Sequence, residues 1–289
     1  MPSLTRIANE HLAVEVSSLG SEMQSITTPD GENWLWNGDA TFWTGRSPVL
    51  FPIVGKAPDD TLSIDGKPFP MAQHGFARRR EFTLSEASET ACRYSHESSS
   101  ETRALYPFEF RLDVEHALDG PALTVAAEVQ NRGHEPMPFG FGFHPAFVWP
   151  LPGADGRLHS VTLDNGAEPK RQPLDNGLLA PVSQPSPFEK GKLVLHHDQF
   201  ANDALIFPEG AGEGLVYEAE GGPALKFRFD SLPNLALWTK PGAPFLCIEP
   251  WHGMAARSGG SAELRERPGT ILLAPGARER FAFTVSFSA

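Results

Sequence analysis

Phe108-Glu109-Phe110-Arg111-Leu112-Asp113-Val114-Glu115-His116-Ala117-Leu118-Asp119-Gly120-Pro121-Ala122-Leu123-Thr124-Val125-Ala126-Ala127-Glu128-Val129 alternates apolar and polar residues on both sides of a turn. Phe108, Phe110, Leu112 and Val114 fall on one side of a strand, and Leu123, Val125, Ala127 and Val129 on one side of the next. A period of two is that of a half-buried strand, and Asp119-Gly120 supplies the turn, so the stretch predicts a β-hairpin. The same pattern continues outward. Leu12, Val14 and Val16 alternate with Ala13, Glu15 and Ser17, and Pro29-Asp30-Gly31 and Asp65-Gly66 mark further turns. Later strands are expected over 158–163, 192–196, 203–207, 214–219, 224–230, 235–240, 245–249, 270–273 and 280–287. Residues 164–190 hold prolines and little periodicity, and read as loop. No helix of any length is expected. With no internal repeat and no break in composition, residues 1–289 read as one large antiparallel β-sandwich, all-β in class.

Composition agrees. The 27 glycines and 27 prolines, spread along 289 residues, suit many turns between short strands. A net charge of −12 argues against nucleic acid or an anionic membrane as partner. Cys92 and Cys247 make neither a disulfide framework nor a CxxC pair. The first twenty residues carry Arg6, Glu10 and Glu15 and lack a signal-peptide core, and no stretch approaches a membrane span. A cytoplasmic setting is the expectation.

Most chemical signatures fail. There is no P-loop, no GxSxG elbow and no HExxH, and Gly140-Phe141-Gly142 lacks the third glycine of a dinucleotide fingerprint. His196 and His197 would face opposite sides of a strand, against a shared metal. Arg78-Arg79-Arg80 reads as a solvated edge from which one residue is free to serve an anionic substrate.

Four polar placements in apolar surroundings remain. In Phe245-Leu246-Cys247-Ile248-Glu249-Pro250-Trp251-His252-Gly253, an apolar run meets a carboxylate. Pro250 has no N–H to give a ladder, so the strand is expected to stop near Glu249. Burial there would raise the carboxyl pKa toward neutrality, unless Glu249 merely closes the strand on an arginine. His144 lies among glycines and phenylalanines in Gly140-Phe141-Gly142-Phe143-His144-Pro145, His74 precedes Gly75, and Arg46 leads into an apolar segment. Each has a plain structural alternative: a satisfied core histidine, a loop histidine on backbone, a salt bridge. An imidazole and a desolvated carboxylate together suit paired proton transfer with no metal or cofactor, and nearby aromatics suit a ligand with apolar faces and hydroxyl edges.

Taken together, these segments resemble the aldose 1-epimerase (galactose mutarotase-like) family, and its LacX-type branch in particular. Five motifs carry the resemblance, in family order: Leu50-Phe51-Pro52-Ile53-Val54-Gly55, Gln73-His74-Gly75-Phe76-Ala77-Arg78, Gly142-Phe143-His144-Pro145-Ala146-Phe147, Asn202-Asp203-Ala204-Leu205-Ile206-Phe207 and Cys247-Ile248-Glu249-Pro250-Trp251-His252-Gly253. The resemblance implies a supersandwich with a sugar cleft on one face. It implies Glu249 as general base toward the anomeric hydroxyl, His144 as general acid toward the ring oxygen, and Arg46, His74 and Asp203 on the sugar. Arg78 and Trp251 are further candidates for substrate contact. His144 and Glu249 are expected to face each other across a gap the size of a sugar ring. Two departures stand out: no asparagine flanks Arg46, and His252 stands where the LacX-type branch often has tyrosine. The partner is then a small-molecule sugar, free or phosphorylated, the latter requiring Lys56, Arg78 or Arg79 at the cleft, and the protein a monomer or weak homodimer. A non-catalytic sugar-binding module on the same fold and a glycoside hydrolase with Asp203 as second carboxylate are the competing functions.

Overall fold

A computed structural model describes residues 2–210 and 212–288. The hairpin forms as the alternation requires: strands Phe110–Asp119 and Ala122–Asn131 pair in one register from end to end. Phe110, Leu112, Val114, Leu123, Val125, Ala127 and Val129 are buried, while Arg111, Asp113, Glu115, Thr124 and Glu128 are half-exposed. This hairpin lies within a nine-stranded antiparallel sheet that runs from Lys192–Val194 to Thr83–Ala87. Arg278–Ser288 bridges the hairpin to Ala224–Asp230 in that sheet.

A second sheet has six strands with Phe245–His252 at its centre. Asn234–Trp238 flanks it on one side; Phe141–Phe143 and Ala146–Val148 share the other. The two sheets meet through phenylalanines. Phe141 stacks on Phe281 at 4.8 Å, Phe143 meets Phe283 edge-on at 5.1 Å, and Phe147 meets Phe227 at 5.2 Å. Offset and edge-to-face contacts of this kind add to the area the rings bury.

Strand ends moved where tertiary context outweighed local chemistry. Phe245–His252 runs straight through Pro250 rather than stopping at Glu249. Phe141–Phe143 pairs with Trp251 and His252, and Ala146–Val148 pairs with residues 245–247. Between these partners lies a gap in the ladder, and the missing N–H of Pro250 falls at its edge. Residues 164–190 are not all loop: Leu174–Asp175 and Leu178–Leu179 form a short hairpin over Asn176 and Gly177, both at positive φ. Among the described residues there is one α-helical turn, Ser100–Arg103, closed by a capping box between Ser99 and Thr102. Among the described residues no helix is long and apolar enough to cross a membrane.

Candidate active site

Phe245–His252 is buried on both faces. Leu246 and Ile248 join the core between the sheets, while Phe245, Cys247, Glu249 and Trp251 point to the opposite face. Successive residues of a strand alternate sides, so this division follows from the backbone. It also settles His252, an even-numbered position. His252 turns from the cleft, meets Phe281 edge-on and lies 3.1 Å from the Ser231 carbonyl through Nδ1.

The gap in the ladder brings the two candidate catalytic groups together. The register that sets Gly142 opposite Trp251 and Ala146 opposite Cys247 leaves His144 opposite Glu249. Both side chains emerge on the same face, His144 Nε2 lies 3.3 Å from Glu249 Oε2, and they are 7% and 2% exposed. The expected ring-sized separation is therefore replaced by direct contact.

Burial dominates the electrostatics. It raises the Glu249 carboxyl well above its ordinary value, with the Asp203 charge adding to the effect. It lowers the His144 imidazole to about 3. Both shifts disfavour charge and favour a neutral pair in which the carboxyl proton faces the Nε2 lone pair while the imidazole keeps its own proton on Nδ1. Transfer of that proton along the contact gives carboxylate and imidazolium without any change in net charge.

The pair forms part of a cleft of about 360 Å3. Trp251 lines it, lying across Gly142; a Cβ there would sit 2.5 Å from Trp251 Cδ1. Trp43 stacks on the His144 ring at 4.9 Å and 27°, and Trp238 meets the same ring edge-on at 5.9 Å. Gly45 permits this, because a Cβ would fall 2.5 Å from the Trp43 ring. Neither tryptophan was singled out from sequence. Trp238 shared the site face by alternation with Ala236, the residue opposite Glu249, and that signal was available once the pairing was known.

His74 also lines the cleft. It adopts φ 65° before Gly75, whose own Cβ would strike the Phe51 carbonyl at 2.1 Å. Its Nδ1 accepts the Gly55 N–H at 3.1 Å, and its own N–H donates to the Gly55 carbonyl at 2.9 Å. An accepting Nδ1 leaves the proton on Nε2, a neutral donor that lies 3.3 Å from the side-chain amide of Gln73, also on the cleft lining. Burial lowers the His74 pKa well below its usual value, with His144, Arg78 and Arg267 adding to the effect. Arg78 lines the cleft and donates to the Gln73 carbonyl at 3.0 Å. Asp203 is exposed on the cleft lining at φ 82°.

Arg46 is the exception. Glu22 accepts the main-chain N–H groups of Arg46 and Ser47 at 2.7 and 2.9 Å. The guanidinium is then taken by Gln24, through its side-chain oxygen at 2.8 Å and its carbonyl at 3.0 Å. Arg46 thus braces the loop that carries Trp43 and does not line the cleft. Lys56 and Arg79 line a neighbouring cavity of about 590 Å3 that meets the cleft at Gln73. Leu174 and Gly177, from the segment read as loop, complete the cleft wall.

His144, Cys247 and Glu249 offer one ligand atom each within 4.8 Å of one another, a set able to hold a soft divalent ion. Burial holds the Cys247 thiol protonated. An ion there would compete with the proton that His144 and Glu249 share.

Residues 3–286 match the family model described as aldose 1-epimerase. The chromosomal LacX protein of Lactococcus lactis subsp. lactis is 31% identical over 283 residues, 93% of this chain and 94% of that protein. A galactose mutarotase related enzyme from Lactobacillus acidophilus superposes with a TM-score of 0.93 at 27% identity, covering 99% of this chain and 98% of its own. A galactose mutarotase-like protein from Lactobacillus casei gives 0.91 at 27% identity, covering 99% and 100%.

Proposed function

The chain belongs to the aldose 1-epimerase family, and from that premise we propose that it interconverts the α and β anomers of a free aldohexose in the cleft beside Glu249. The observation that carries the proposal is the buried contact of 3.3 Å between His144 Nε2 and Glu249 Oε2 beside a cleft with room for a sugar. In the proposed cycle, the Glu249 carboxylate removes the proton of the anomeric hydroxyl. The imidazolium of His144 protonates the ring oxygen. The C1–O5 bond breaks, C1 becomes an aldehyde carbon, and rotation about C1–C2 presents its other face. The ring oxygen re-adds, returning its proton to His144 while Glu249 reprotonates the new anomeric oxygen. Each group ends as it began, so no external acid or base is consumed.

Supporting parts fit these steps. His74 offers a neutral Nε2–H and Arg78 a cation toward a sugar, and such donors stabilise charge developing on oxygen when water is excluded. Trp43, Trp238 and Trp251 offer apolar faces for a pyranose ring. Acid and base catalysis contribute about 10²–10⁴-fold each, together about 5–11 kcal/mol of barrier. Mutarotation already proceeds unaided in water, so that range suffices.

Arg78 in the cleft, with Lys56 and Arg79 across Gln73, favours a second substrate reading, a hexose 6-phosphate. Polarimetry on freshly dissolved α-glucose, α-galactose and their 6-phosphates tests both. Acceleration over buffer on a free sugar supports the proposal, selective acceleration on the phosphorylated sugars transfers it to the second reading, and no acceleration on any common aldose rejects both.

A further inference from the structure

Arg267 is 6% exposed, and among the described residues none of its hydrogen bonds goes to a carboxylate. Burial brings its pKa down to about 10, so it keeps its charge near neutrality. Its guanidinium donates to three main-chain carbonyls: Val54 at 2.8 Å, Met254 at 3.0 Å and Lys56 at 3.2 Å. A buried cation with no counter-ion is costly, and satisfied carbonyl dipoles are what make it tolerable.

The carbonyl nearest to Arg267 belongs to a particular peptide. Val54 C=O and Gly55 N–H are the two ends of one planar unit, pointing in opposite directions. The Gly55 N–H is the group that donates to His74 Nδ1. The chain of contacts therefore runs guanidinium, Val54 carbonyl, Gly55 amide, imidazole. A cation on the carbonyl withdraws electron density from the amide and strengthens its N–H as a donor. The bonds to Lys56 and Met254 fix the two flanking segments, and Gly55 packs so closely on Ala255 that a Cβ would lie 2.6 Å from the alanine Cβ.

We propose that Arg267 is a positioning residue that acts through the Val54–Gly55 peptide to hold His74 with its proton on Nε2, facing the cleft. Part of the consequence, the effect on turnover, rests on the epimerase reading above; the state of the imidazole does not.

Nitrogen-15 NMR of the imidazole rings, with His74 assigned by a His74→Gln variant, reads the tautomer directly. In the parent, His74 keeps Nε2 protonated and Nδ1 bare from about pH 8 to about pH 5. Arg267→Gln yields mixed tautomers or a ring that titrates closer to its usual pKa, and lowers kcat/KM by roughly 10- to 100-fold. Made in a His74→Gln background, the same substitution lowers kcat/KM less than about 2-fold, because its effect passes through His74. Arg267→Lys, which retains a cation able to reach Val54, preserves the parent tautomer and remains the test if the glutamine variant does not fold. The proposal is overturned if Arg267→Gln lowers thermal stability but leaves the His74 tautomer unchanged, if its kinetic cost is the same in both backgrounds, or if Arg267→Lys loses the tautomer. A parent inactive on every aldose would reject the epimerase reading alone, and the NMR result would still decide the role of Arg267.

Discussion

Replacing Glu249 by glutamine separates chemistry from architecture. The amide is nearly isosteric with the carboxylic acid and keeps a donor toward His144 Nε2, 3.3 Å away in the parent. It takes no proton from a sugar and has none to lend. The second loss is the larger. An imidazole held at about 3 is protonated in about one molecule in 10⁴ at pH 7. Without the neighbouring carboxyl as proton store, His144 has almost no acid form. Glu249→Gln should therefore fall near the top of the range for one acid–base group, about 10⁴-fold or about 5 kcal/mol of barrier. The residual rate, after subtraction of the buffer reaction, should rise about tenfold per pH unit on acidification from 7, as imidazolium becomes populated.

Stability should move the other way. The folded-state pKa of Glu249 is raised by burial above that of the unfolded chain. Below the unfolded value both states are protonated and nothing is lost. As pH rises from there through the folded value, the folded protein loses stability. Glutamine has no such loss, so its melting temperature relative to the parent should increase from pH 5 to pH 8. Polarimetry and thermal denaturation on the same two proteins decide the matter. Full activity in the variant, or a melting temperature at pH 8 that falls along with activity, would refute the reasoning.

Further outcomes follow from other residues. His144→Gln should lower turnover by about 10²–10⁴-fold with little loss of fold, measured by the same polarimetric assay. Arg46→Met should leave KM unchanged and lower the melting temperature, whereas Arg78→Met should raise KM, since Arg78 lines the cleft and Arg46 does not; equal effects on KM would contradict the geometry. Gly142→Ala should destabilise by about 1–3 kcal/mol in denaturant unfolding, because the new methyl would meet Trp251 at 2.5 Å. His116 is 1% exposed in the large sheet and held at about 3 by burial, so the folded form stays neutral while the unfolded chain binds a proton below about 6.5. That group alone should remove about 2 kcal/mol of stability between pH 7 and pH 5, and His116→Leu should flatten that part of the acid limb of a denaturation series.

How much was legible depended on whether local pattern or long-range pairing decided the outcome. The hairpin around Asp119-Gly120 was legible because a period of two and a turn signal are both local, and its two strands stayed in one register. The role of Pro250 was not, since a missing N–H stops a strand only where a neighbour needs it, and the gap between Phe141–Phe143 and Ala146–Val148 removes that need. His144 and Glu249 were each recognisable as polar residues in apolar company. Their contact was hidden, because it arises from strand pairing between segments about a hundred residues apart. The surroundings of Arg46 were hidden for the same reason: Glu22 and Gln24, which capture its loop and its guanidinium, lie 24 and 22 residues away at the start of strand Met23–Thr27. Trp43 and Trp238 carried no local sign of facing a site; alternation along Asn234–Trp238 and Phe245–His252 assigns the face of Trp238, and Trp43 reaches the site from a loop.

A crystal structure of the Glu249→Gln protein with a bound aldose tests the central claim most directly. The account predicts a pyranose in the cleft with its ring oxygen in hydrogen-bond reach of His144 Nε2 and its anomeric hydroxyl against the side chain at position 249. A sugar bound with C1 turned away from both groups, or bound outside this cleft, would contradict it.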